Sequence, residues 1–183
     1  MTLVGTSVKR KEDPRFIQGR GKYVANIQLP GMAYIAIKRS PHAHARIKGI
    51  DTSAAKAMKG VLAVFLGQEL IDSGVGKLPC GWVVPGCKIP TRWAVVPVGD
   101  KVRHVGDSVA IVVAESAYIA EDAVEAIEVD YETLPAVIGA QKATESGQAS
   151  VHDDIPDNVS YTWALGDKDG TAGALKNAAK VIK

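Results

Sequence analysis

The chain has 183 residues, is 46% hydrophobic and 23% charged, and carries 22 Lys+Arg against 20 Asp+Glu. This is a globular composition, sized for one domain or one plus a piece of another, and it excludes disorder as the main state. No apolar run is longer than Val109–Ala114, which falls far short of the ~20 residues that a bilayer-spanning helix needs.

Along the chain, Pro30-Gly31 is the first strong turn signal, ending a poorly periodic N-terminal arm. Met32–Arg39 then reads as a strand, with Met32, Tyr34, Ala36 and Lys38 on one face and Ala33, Ile35, Ile37 and Arg39 on the other. Ser40-Pro41 breaks it, because the proline ring removes a donor and pushes the preceding residue out of helix. His44–Ile50 resumes in extended form. Asp51-Thr52-Ser53 offers capping oxygens to a short Ala-rich helix that ends near Gly60. Val61–Leu66 is a β-branched and aromatic run, read as a strand.

Gly67–Trp93 is rich in glycine and proline, holds both cysteines, and reads as one long functional or interaction loop. Regular structure is expected at Ala94–Val98 and Val102–Val105, and Gly106-Asp107 marks a turn. Ser108–Ala114 has the continuous apolar pattern of a buried strand. Ser116 is placed to cap a helix, with Glu121 and Asp122 near its positive end. Ile119, Ala120, Ala123, Val124 and Ile127 form its apolar stripe. Ile127–Tyr131 switches to strand alternation, and Leu134-Pro135 turns the chain into Ala136–Ile138. Residues 139–156 read as a linker, Val159–Leu165 as a strand and Thr171–Ala179 as a short helix. Val181-Ile182-Lys183 opens a further extended pattern.

Charge is unevenly spread. Residues 1–50 carry ten Lys/Arg and two acids, a balance of +8, and residues 51–183 carry twelve against eighteen, a balance of −6. The basic arm has two readings, a nucleic-acid footprint or a solvated segment that docks on an acidic surface. No recognition motif follows the charges, so the second is preferred and no nucleic-acid partner is assigned. Neither a signal-peptide h-region nor a membrane segment is visible, and two cysteines are too few for a disulfide framework, which together point to a cytoplasmic, reducing setting. Asn158-Val159-Ser160 matches a glycosylation sequon and is read as chance in that setting.

Phosphate-loop, dinucleotide-fingerprint, nucleophile-elbow and H-E-x-x-H patterns are all absent. His42 and His44, at i and i+2 of an extended segment, form the best ligand-like pair. With Cys80 and Cys87 they could make a tetrahedral zinc site, but the cysteine spacing is not that of a finger, and no metal residue is assigned. The cysteines are read as packing residues in the loop, His104 as structural in a strand, and His152 as a solvated linker residue. Glu121, Asp122 and Glu125 form a solvated helix face.

Five phrases, in order, carry a family resemblance: Lys11–Tyr23, Arg39–Ile47, Val102–Ala110, Ala120–Ala123 and Val129–Val137. Together they resemble the N-terminal region of the large, molybdenum-cofactor-binding subunit of the xanthine dehydrogenase/aldehyde oxidase family, and are similar in particular to its carbon monoxide dehydrogenase large-subunit branch. The resemblance covers nearly the whole chain except the loop 67–93.

It implies an α+β fold, with an arm at 1–14, an α/β hammerhead domain at 15–138, and at 139–183 a linker and the opening of a molybdopterin-binding domain. It also implies partners: the remainder of the large subunit, an iron–sulfur subunit and an FAD-binding subunit. Molybdopterin cytosine dinucleotide, 2Fe–2S clusters and FAD are expected in the complete assembly, none of them bound by this chain. The family's glutamine- and glycine-containing cofactor motifs and its catalytic glutamate have no counterpart among these residues, so no catalytic or cofactor-binding residue is transferred. Interface candidates are Arg15 and Arg20 in the basic arm, and Pro41, His42 and His44 in the bend.

The reaction implied for the whole is hydroxylation of a heteroaromatic or aldehyde substrate with water-derived oxygen, or oxidation of carbon monoxide. The alternative is a standalone or split hammerhead that acts as a non-catalytic binding or assembly module.

Overall fold

A computed structural model describes residues 3–182. After a one-turn helix α1 (Asp13–Ile17) the elements run β1 (Tyr34–Arg39), β2 (Ala45–Asp51), α2 (Ser53–Ala57), β3 (Val61–Leu66), α3 (Gly67–Asp72), β4 (Lys101–Val102), β5 (Ser108–Ala114), α4 (Ala117–Glu125), β6 (Glu128–Thr133), α5 (Ala140–Ala143) and α6 (Lys168–Lys176). They build two three-stranded antiparallel sheets, ordered β1-β5-β3 and β4-β2-β6. Segregated helices on antiparallel sheets make this the α+β class expected from the sequence.

The near-continuous apolar run of β5 follows from its central place between β1 and β3. Ala110 and Val112 point towards α2 and α4, where they pack with Ala55, Val64, Ala123 and Ile127. Ala36, Ala114 and Ala120 extend the same layer. The second core joins Ala45, Ile47 and Val102 of the other sheet to Val96 and to Val109 of β5. Ile47, Val96, Val102, Val109, Val112 and Ile127 are fully buried, and each contributes about 1.5–3 kcal/mol of transfer free energy.

Helix α4 forms where its cap and stripe place it. The Ser116 hydroxyl accepts from the Ile119 N–H at 3.2 Å, and Ala120 and Ala123 are buried beneath it. Glu121 and Asp122 fall past its first turn, which carries no acid. Strand β6 alternates as expected, with Val129 and Tyr131 turned inward and Glu128, Asp130 and Glu132 exposed.

Four expected elements differ. The loop begins later than Gly67, because Gly67–Asp72 forms α3, whose first turn is closed by the Leu66 N–H donating to the Glu69 carboxylate at 2.7 Å. Of the strands expected at 94–98 and 102–105, only Lys101–Val102 pairs. Pro97 has no N–H to give and Gly99 sits at φ +91°, so the apolar pattern there records burial of Val95 and Val96 instead of a ladder. His104 therefore lies in a turn. Residues 159–165 form no strand, and among the described residues none pairs with them as a ladder. Residues 181–182 are irregular, and Lys183 lies outside the described residues, as do the first two residues of the arm.

Candidate functional site

The bend between β1 and β2 carries the chain from one sheet to the other, and two backbone bonds lock it to the turn before β5. The Ser40 N–H donates to the Asp107 carbonyl and the Gly106 N–H to the Ser40 carbonyl, both at 2.8 Å. The Ser40 hydroxyl, buried, accepts from the His42 N–H at 3.0 Å. His44 is buried and its Nδ1 lies 2.8 Å from the Pro135 carbonyl, which can only accept, so Nδ1 carries the proton. Its Nε2 is buried with no partner. The His42 ring meets the Tyr131 ring edge-on at 4.8 Å. Burial holds the Tyr131 hydroxyl above its ordinary pKa, Ser40 opposes this, and the Asp107 charge adds to it. Pro41 alone in the bend is exposed. Each histidine thus has a contact of its own, His44 with Pro135 and His42 with Tyr131. Among the described residues no group of three or more His, Cys, Asp or Glu side chains could hold a metal.

The second feature, missed by the sequence reading, is Asp107. Its side chain is 1% exposed and gathers three groups. Oδ1 accepts from Arg92 Nη1 at 2.5 Å, Oδ2 accepts from the Arg103 backbone N–H at 3.0 Å, and His104 Nδ1 lies 3.5 Å from Oδ2. Arg103 in turn pairs with Asp100 at 3.0 Å, and the buried Lys101 pairs with Asp153. Lys101 draws the Asp153 carboxyl below its ordinary value by hydrogen bonding. These pairs connect the long loop, the β4–β5 turn and the segment after β6.

That segment is not a free linker. Asn158, in the left-handed region at φ +54°, donates both amide hydrogens, to the carbonyls of Ala143 and Ala149, and accepts from the Val151 N–H. Its amide nitrogen is committed inside the fold. Lys88 pairs with Asp157 at 3.0 Å, and Lys88 and Ser160 exchange hydrogen bonds of 2.6 and 2.7 Å. Trp82 stacks edge-on against both Tyr161 and Trp163. Cys80 and Cys87 are free thiols in this loop, Cys80 exposed.

His152 is half-buried here, not solvated as expected. Burial first, then the charges of Arg103, Arg92 and Lys101, press its pKa below the ordinary 6.5, with Asp154 opposing. A histidine whose pKa is lower folded than unfolded stabilises the fold above its unfolded pKa, and that stability is lost as pH falls through the window below 6.5. An NMR titration of His152 is therefore expected to show a midpoint below 6.5, and His152→Gln to flatten the acid limb of stability in that window. A midpoint above it would contradict the packing described.

Arg15 and Arg20 sit in the arm, where α1 buries nothing. Arg15 lies over the Phe16 ring at 5.1 Å, its carbonyl accepts from the Arg20 N–H at 2.9 Å, and both residues are exposed. The structure thus places the five interface candidates in two groups, one in the arm and one in the bend.

Two sheets bridged by a locked bend, with α2 and α4 against one of them, define the fold class. Residues 18–135 match the family model described as aldehyde oxidase and xanthine dehydrogenase, a/b hammerhead domain, and the chain belongs to that family. Among curated relatives, the carbon monoxide dehydrogenase large chain of Afipia carboxidovorans is 38% identical, over 98% of this chain and 23% of its own length. The nicotine 6-hydroxylase large subunit of Paenarthrobacter nicotinovorans is 36% identical, over 98% of this chain and 21% of its own length. Among solved structures, quinoline 2-oxidoreductase from Pseudomonas putida 86 superimposes with a TM-score of 0.76 at 38% identity, covering 99% of this chain and 22% of that one. The chain therefore spans under a quarter of the length of these relatives.

Proposed function

We propose that the chain is the N-terminal scaffold portion of the molybdenum-binding large subunit of a molybdenum hydroxylase. The observation that carries this is near-complete coverage of the chain, at 36–38% identity, by the large chains of carbon monoxide dehydrogenase and nicotine 6-hydroxylase. The whole would hydroxylate a heteroaromatic or aldehyde substrate, or oxidise carbon monoxide, with oxygen from water. Molybdopterin cytosine dinucleotide, 2Fe–2S clusters and FAD would belong to the complete assembly.

The cluster around Asp107 offers no free cation to the phosphates of that cofactor. The cations that cluster around Asp107 are engaged: Arg92 by Asp107, Arg103 by Asp100 and Lys101 by Asp153. The chain's contribution is to hold parts in place. In this reading residues 15–138 form the hammerhead and 139–183 lead into the cofactor-binding domain. Arg15 and Arg20 dock the arm on acidic surface of the assembly, while Pro41, His42 and His44 set the bend at a domain or subunit contact. A setting in the cytoplasm accords with the free thiols.

The test is to tag the gene in its host, isolate its product under native conditions, and measure molybdenum and co-purifying subunits. Stoichiometric molybdenum with iron–sulfur and flavin subunits is the expected result. A metal-free product without partners would favour a standalone hammerhead module instead.

A further inference from the structure

Register places an unbroken apolar surface on the side of the β1-β5-β3 sheet that faces away from α2 and α4. Ile35 stands opposite Val113, and Val113 opposite Ala63; Ile37 stands opposite Ile111, and Ile111 opposite Phe65. Directly paired residues share a face, so these six side chains lie together. The helices cover the alternate set, Ala36, Ala110, Val112, Ala114 and Val64. Ile35 is 66% exposed, Ile37 36% and Phe65 39%. All six are apolar, and a patch of this kind marks an interaction surface.

We infer that this sheet face is the seat of the remaining polypeptide of the large subunit, which lays an apolar layer across β1, β5 and β3. This rests on the reading under Proposed function. Two observations select that occupant. Relatives that match almost all of this chain have more than three quarters of their length outside the match, so the partner that is always present is the same polypeptide. The six side chains also carry no charge or hydrogen-bonding group, the composition of a permanently buried core and unlike the mixed surface of a transient partner.

The experiment is carbene footprinting with a diazirine probe, on the native gene product isolated from its host and on the 183-residue chain. Labelling of the segments bearing Ile35, Ile37 and Phe65 is expected to be at least fivefold lower in the native product, and equal labelling would overturn the inference. The double variant Ile35→Lys with Ile37→Lys separates docking from folding. In the 183-residue chain it should leave the unfolding midpoint in place and cut apolar-dye fluorescence at least twofold. In the native product it should abolish the protection.

Sedimentation of the 183-residue chain as a dimer that this variant dissolves would assign the face to a second copy and overturn the stated occupant. Molybdenum measured on the same native sample keeps the two readings apart. Protection without molybdenum sinks the proposed function and with it the named occupant, whereas molybdenum without protection sinks this inference alone.

Discussion

Asp107→Ala is expected to destabilise the chain by about 3 kcal/mol, the largest loss from any single charged position. The carboxylate is 1% exposed and is the acceptor for Arg92 and for the Arg103 N–H. Removing it leaves a backbone donor unsatisfied, which costs about 1–3 kcal/mol. It also leaves Arg92 without its counter-ion, although Arg92 is 36% exposed and recovers part of that loss from water. Asp107→Asn keeps one acceptor oxygen but loses the charge and turns the second acceptor into an NH2 donor facing a donor, so it should fall between wild type and Asp107→Ala. Urea unfolding measures both, and a loss below about 1 kcal/mol for the alanine variant would show that the ion pair adds little to the fold.

Gly67→Ala is expected to cost about 2–3 kcal/mol, by a different cause. A Cβ at position 67 would lie 2.6 Å from the Val95 carbonyl oxygen and 2.7 Å from the Pro97 nitrogen. Both are backbone atoms and cannot swing aside as a side chain could. The helix-propensity gain of alanine over glycine, about 1 kcal/mol, is smaller than the clash, so the sign is destabilising. Gly173→Ala in α6 is the internal control: nothing lies within 4 Å of its Cβ, and there the propensity gain should appear alone. Equal effects at the two positions would refute the close approach of α3 to the 95–97 segment.

Strands β3 and β5 and the cap of α4 were legible in the sequence because each depends on local signals: a β-branched run, a continuous apolar run and a serine before an apolar stripe. The family resemblance was equally legible, since its five phrases are contiguous stretches of sequence that need no tertiary contact to be read. Asp107 was read only as a turn residue. Its burial depends on Arg92 arriving from the long loop, a tertiary event with no local signature. Residues 139–156 read as a linker for the same reason, because Asn158 and Lys101 hold them from outside the segment, through the Ala143 and Ala149 carbonyls, the Val151 N–H and Asp153. The isoleucines of β1 show the converse: their alternation was visible, but which face would lack cover was not, since that depends on where α2 and α4 come to rest.

In the proposed function these residues give shape and contacts to a larger redox assembly and hold none of its reactive groups. Elemental analysis and an absorption spectrum of the purified 183-residue polypeptide test it most directly. Neither stoichiometric molybdenum or iron nor a flavin band is expected, and no turnover of carbon monoxide, aldehyde or heteroaromatic substrates. A bound metal at one per chain, or turnover by the polypeptide alone, would contradict it.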